Sequence, residues 1–195
     1  MRGDILLYRS GGILKDRVVC AYTGGPFCHC EIDLGDGATL GAHSEDGISR
    51  RPEAMLDRKV VISLQGRTSP ERIEAGITWA LGHVGEPFSW ASIADLVGPA
   101  WVSTLLFGRR SLYNCASLVA QYLEIAGGLN LPSAQRSQAL VSPNAIARAW
   151  GLLPETRGFA RSSIVRLGAS ILALAPLRQP RQASSTAAPP PLCRD

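Results

Sequence analysis

Residues 29–43 read HCEIDLGDGATLGAH, two short runs of apolar character on either side of Gly35-Asp36-Gly37. Gly and Asp accept the positive φ that a tight turn needs, so the segment predicts a β-hairpin. A hairpin alone is marginal in water and has to be extended by other strands or covered by helices. The surrounding sequence reads accordingly. DILLY after Gly3-Asp4, RVVCAYT (17–23) and KVVISL (59–64) are further β-like runs, and DGISRRP reads as a turn leading outward, so residues 1–64 are expected to be β.

Helical signals follow. Ser69-Pro70-Glu71 is an N-cap with proline at the first helical position, and Ile73, Ile77 and Leu81 recur at helical spacing until Gly85-Glu86-Pro87 stops the run. Residues 89–108 are apolar and read as helical in pieces, broken at Gly98-Pro99. The clearest helix is LYNCASLVAQYLEIAGG (112–128), with Asn114 as cap and Gly127-Gly128 as stop. A proline-started helix over 144–150 comes after it. Strands first and helices second predict an α+β fold, a small antiparallel sheet or barrel packed against helices.

Composition narrows the function classes. The chain has 195 residues, enough for one domain with a real core, and 46% of them are hydrophobic. Its net charge of +4 is carried by arginines scattered along the chain, with Lys15 and Lys59 the only lysines. No dense basic run interleaves with aromatics, which argues against nucleic acid as a partner. MRGDILLYRSGG falls short of the ~7–15-residue apolar core of an export signal. The five cysteines are an odd number in a chain too large to need disulfide staples, so reduced thiols in a cytoplasmic setting are expected. Non-classical export or phage-associated delivery stays open. The expected organisation is a domain over 1–157, an apolar helix or cover segment over 158–178, and a disordered Pro/Ala/Ser-rich tail over 179–195. Within the second, 162–177 is a candidate for weak membrane-surface association, or simply a cover helix.

Cys115 stands at the start of the clearest helix. There the positive end of the helix dipole and unpaired amides stabilise a thiolate, and the same amides can hold an oxyanion. The plain alternative is a small buried hydrophobe. His29 and Glu31 are two residues apart, hence on one face of a strand, where a carboxylate can orient an imidazole and favour its protonated form. His43 lies on the returning strand and by register falls near His29, so Glu31 and His43 are both candidates for a third, orienting group. Cys28-His29-Cys30 also invites a metal reading. Alternation sends His29 away from the two cysteines, and no second Cys/His pair follows at zinc-site spacing. Cys28 and Cys30 therefore read as small core-facing residues, and neither metal nor cofactor is expected.

GDILLY, CHCEIDLGDGATLGAH, GEPFSW and YNCASLVAQYL, in that order, resemble the circularly permuted papain-like hydrolases. These include the YiiX-like branch of the NlpC superfamily and, more remotely, the lecithin:retinol acyltransferase-like enzymes. The resemblance spans roughly residues 2–155 and rests on order, the histidine strand preceding the cysteine helix. It implies Cys115 as nucleophile, His29 as general base and Glu31 as the acid of an H-x-E pattern. It places Phe88-Ser89, where many relatives carry Tyr-Asp, in the substrate wall, and Tyr113 at the cleft border or in packing. The implied activity is a thiol-dependent hydrolase acting on an amide or ester of a peptide, a peptidoglycan-like peptide or an acyl lipid. Acyl transfer through the same intermediate and an inactive binding module are the alternatives.

Overall fold

Ile5–Arg9 forms β1, whose burial is almost complete, and it lies at the centre of the sheet with a partner on each side. The computed structural model describes residues 1–12, 14–53, 59–90, 113–127 and 141–154. The remaining elements are α1 (Leu14–Thr23), β2 (Phe27–Asp33), β3 (Ala38–His43), β4 (Gly47–Pro52), β5 (Lys59–Ile62), α2 (Pro70–Leu81), α3 (Cys115–Ile125) and α4 (Pro143–Ala149). The five strands pair antiparallel in the order β4-β3-β2-β1-β5, an open sheet in an α+β arrangement.

One face of the sheet carries Ile5, Leu7, Cys30, Ile32 and Leu40 into the main core, where Leu118, Val119 and Leu123 of α3 and Ile73 and Ile77 of α2 meet them. Burying a side chain of this size contributes about 1.5–3 kcal/mol, so this layer holds α3 against β2 and β3. Tyr122 fixes the helix further, its Oη donating to the carbonyl of Gly3 at 2.8 Å. The opposite face carries Leu6, Tyr8, His29 and Glu31, paired Leu6↔Glu31 and Tyr8↔His29 across β1 and β2.

Two expectations for the β region are corrected. Residues 17–23 are not a strand but the body of α1, which packs against β2 and α4. The paired valines favour a strand locally, but Lys15-Asp16-Arg17 breaks the alternation. Asp16 also accepts the amide of Gly11 at 3.1 Å in the helix's first turn. Nor does DGISRRP lead outward. The turn is Ser44-Glu45-Asp46, and β4 returns along β3 from His43↔Gly47 to Ala38↔Pro52. Its one strongly apolar residue, Ile48, is too little to give a readable period. Gly47 is required there: its φ is +74°, and a Cβ would meet the Glu86 carbonyl oxygen at 2.1 Å.

The capped helices lie where expected, with α2, α3 and α4 starting at Ser69, Asn114 and Ser142. The readings for 91–112 and for the 158–178 and 179–195 segments, including the surface-association stretch 162–177, lie outside the described residues. Among the described residues no helix is long and apolar enough to cross a membrane.

Candidate active site

β2 and β3 are paired only at Ile32↔Leu40 and Asp33↔Thr39, although both strands run on past this ladder. Beyond it the side chains remain cross-strand neighbours, Gly41 opposite Glu31 and His43 beside His29, and α3 packs against both strands. Cys115, at the start of α3, interacts with both Cys30, on the helix-facing side of β2, and His29, on the other side. It is a buried residue at the first helical position.

The start of α3 is organised by a capping box. Asn114 Oδ1 accepts the Ser117 amide at 2.8 Å, and Ser117 Oγ accepts the Asn114 amide at 2.8 Å. Of the four amides that a helix start leaves without intrahelical partners, these two are thereby satisfied, leaving those of Cys115 and Ala116 without a hydrogen bond among the described residues. Both residues line a cavity of about 330 Å³, together with His29, Glu31, His43 and Phe88. An unpaired amide pair beside a thiol, open to a cavity, is the geometry an oxyanion requires.

His29 Nε2 lies 3.1 Å from Glu31 Oε1, and the ring also interacts with Cys115. Burial opposes a charge on His29, but the Cys115 thiolate and the Glu31 carboxylate outweigh it and push its pKa up to about 10. Cys115 moves the other way. A hydrogen bond from the Cys30 thiol and the charge and hydrogen bond of His29 overcome burial and hold its pKa well below the usual thiol value. Cys30 itself is pushed well up, by burial first and by the neighbouring thiolate. Glu31 is buried, which disfavours its charge, yet the bonds to His29 and Tyr8 bring it down to about 2. The three groups form a chain of thiolate, imidazolium and carboxylate.

His43 stands beside this chain, its ring centroid 5.0 Å from that of His29. Its Nε2 lies 3.4 Å from Glu31 Oε1, buried and without a hydrogen bond among the described residues. Burial and the charge on His29 both lower its pKa, so it is neutral near pH 7. Glu31 is thus the group bonded to His29, and His43 approaches the same oxygen. Tyr113 does not border the cavity. It is 7% exposed and packs edge-on against Trp79 and His83, at 5.8 and 5.2 Å between ring centroids. Phe88 and Trp90 do form a wall, edge to face at 5.2 Å, and Ser89 ties that wall to the α3 cap by donating its amide to the Tyr113 carbonyl.

The two cysteines beside His29 need separate treatment. Cys30 faces the core as alternation requires. Cys28 does not, and the expectation of a core-facing residue is corrected. The register steps from Tyr8↔His29 to Arg9↔Phe27, so Cys28 is the extra residue of a β-bulge, half-buried and lining the cavity. Bulges re-aim side chains in this way.

Several supporting residues escape a reading of the sequence alone. Tyr8 Oη donates to Glu31 Oε2 at 2.9 Å, and burial raises its pKa so that it stays a donor. Gly41 lies across from Glu31, and a Cβ on it would approach Glu31 Cγ to 2.8 Å and His43 Nε2 to 3.3 Å. Asn144 clamps the start of β2, accepting the Phe27 amide at 3.0 Å and donating to its carbonyl at 2.8 Å. Tyr8 is signalled only by a polar tip within an apolar run. Gly41 and Asn144 carry no local signal, because their roles exist only across strands and elements. Compared with known proteins, no family model and no curated protein matches the chain.

Proposed function

We propose that the chain is a thiol-dependent hydrolase, of the circularly permuted papain-like kind, that cleaves an amide or ester through a thioester on Cys115. One observation carries this reading: a buried thiol at the first position of a capped helix shares a cavity with an imidazole whose Nε2 lies 3.1 Å from a buried carboxylate, and that imidazole helps to lower the thiol's pKa. A structural cysteine has no use for that chain, since keeping charged groups buried is costly unless they are paired for a purpose.

In the first step the Cys115 thiolate attacks the carbonyl carbon, and the oxygen takes the negative charge between the Cys115 and Ala116 amides. The carbon–nitrogen or carbon–oxygen bond then breaks while the His29 imidazolium protonates the leaving group. In the second step neutral His29 accepts a proton from water, the resulting hydroxide attacks the thioester, and the carboxylic acid leaves as the thiolate reforms. Glu31 keeps the ring oriented and stabilises its charged form throughout. Phe88 and Trp90 supply an apolar wall for the acyl side of the substrate.

The test uses an activated ester such as p-nitrophenyl acetate. Intact-mass analysis is expected to find one acyl group on Cys115 that turns over, and none in Cys115→Ala. Equal ester turnover by the Cys115→Ala chain overturns the proposal.

A further inference from the structure

The same strands gather a second chemistry that the hydrolytic cycle does not use. His29, Glu31 and His43 each offer a ligand atom within 4.8 Å of the other two, and among the described residues they are the one such cluster of three His, Cys, Asp or Glu ligands. Glu31 Oε1 is 3.1 Å from His29 Nε2 and 3.4 Å from His43 Nε2. Ligands about 2.0–2.1 Å from a tetrahedral zinc stand about 3.3 Å from each other, so these separations need little adjustment. His43 Nε2 is a buried ring nitrogen with no hydrogen bond among the described residues, a costly state that a ligand would relieve. Glu31 is held from outside by Tyr8, which donates to Oε2 and leaves Oε1 facing the two rings. Metal-binding carboxylates are ordinarily fixed by such an outer bond. All three ligands line the cavity, which leaves a fourth position to water.

We infer that His29, Glu31 and His43 form a binding site for one divalent transition-metal ion, with zinc the best fit to two imidazoles and a carboxylate. The Cys115 sulfur also lines the cavity but lies outside the ligand cluster, so the ion binds beside the nucleophile and not on it.

The consequence for turnover rests on the hydrolase reading above. A metal on Nε2 obliges the imidazole to carry its proton on Nδ1. The ring then still donates to the thiolate but can no longer accept a proton from water. Occupancy therefore arrests thioester hydrolysis while leaving Cys115 open to alkylation, whereas an ion on the sulfur itself blocks both.

Binding is tested on the Cys115→Ser chain, which removes the nucleophile and keeps every ligand, by titrating zinc chloride calorimetrically. One zinc per chain is expected, weakened at least tenfold by adding His43→Gln and less severely by adding Tyr8→Phe. Binding that is absent, or equal with and without His43→Gln, overturns the site. Because the His43→Gln chain has to fold for that comparison, cobalt(II) absorption of Cys115→Ser provides a second reading. Nitrogen and oxygen ligation is expected, and a sulfur-to-metal charge-transfer band overturns the assignment. In the wild-type chain, zinc is expected to stop ester turnover with iodoacetamide alkylation of Cys115 maintained. Loss of alkylation places the ion on the sulfur and contradicts the proposal. A chain that binds zinc as described yet forms no acyl adduct retains the metal site and loses only the hydrolase.

Discussion

Glu31 is where most of the site's polar contacts converge: His29 and His43 approach one carboxylate oxygen and Tyr8 holds the other. After the Cys115 thiolate, its charge is what favours a protonated His29 in this half-buried position. Glu31→Gln keeps the shape and removes that charge, so the imidazolium and with it the thiolate become less favoured. The acid limb of the Cys115 alkylation profile is expected to move to higher pH, lowering the rate below that limb about tenfold for each unit moved. An unchanged profile would assign Glu31 a packing role only. Gly41 tests the same carboxylate by steric means. Gly41→Ala places a methyl 2.8 Å from Glu31 Cγ, and overpacking of this sort costs about 1–3 kcal/mol. A lower Tm together with slower Cys115 alkylation is expected; a lower Tm alone would show that Glu31 absorbs the methyl without leaving His29. His29, Glu31, His43 and Cys115 were all legible as residues, because a period of two and a helix cap are local signals. Tyr8 and Gly41 were not, since their importance comes from strand register that no single segment encodes.

Among the elements, α3 does two jobs at one end. Its capping box settles the helix and leaves the Cys115 and Ala116 amides without a partner among the described residues, so helix stability and amide geometry are linked at Asn114. Asn114→Ala is expected to cost about 1–2 kcal/mol in chemical denaturation, the usual loss for a helix N-cap. A value near zero would mean that Ser117 alone maintains the turn. Helices with caps and proline starts were readable from sequence, as were the strands flanking a Gly-Asp-Gly turn. α1 and β4 were not. In α1 two β-branched residues outweighed a weak amphipathic pattern, and the helix exists because it packs on β2 and α4. In β4 only Ile48 is strongly apolar, and the strand exists because β3 offers it a full ladder. The bulge at Cys28 belongs with these: one extra residue changes which way a thiol points, and nothing in FCHCEID announces it.

For the molecule as a whole, the thiolate–imidazolium pair makes stability depend on pH in a definite way. The raised His29 contributes stability that is full below its unfolded value of 6.5 and is lost as pH rises through about 10. The lowered Cys115 contributes stability that is full above its unfolded value of 9.0 and is lost as pH falls through its depressed folded value. Between 6.5 and 9.0 the folded pair and the unfolded groups each hold one proton, so the two dependences cancel. The difference in unfolding free energy between wild type and Cys115→Ser is expected to be level across that window and to shrink on both sides of it. A difference independent of pH from 5 to 10 would mean that no such pair forms. The α+β class and the order of histidine strand before cysteine helix were legible from sequence, because both follow from segment types taken in sequence. That the start of α3 brings Cys115 to both Cys30 and His29 was not, since no segment's sequence tells which elements will pack against it. The account turns on Cys115 being a thiolate while its neighbours are not. Burial and nearby charges raise the thiols of Cys20, Cys28 and Cys30. The most direct measurement is iodoacetamide labelling at mildly acidic pH with each modified cysteine mapped by peptide mass. Fast, selective modification of Cys115 over Cys20, Cys28, Cys30 and Cys193 is expected; slow and uniform labelling of all five would contradict the account.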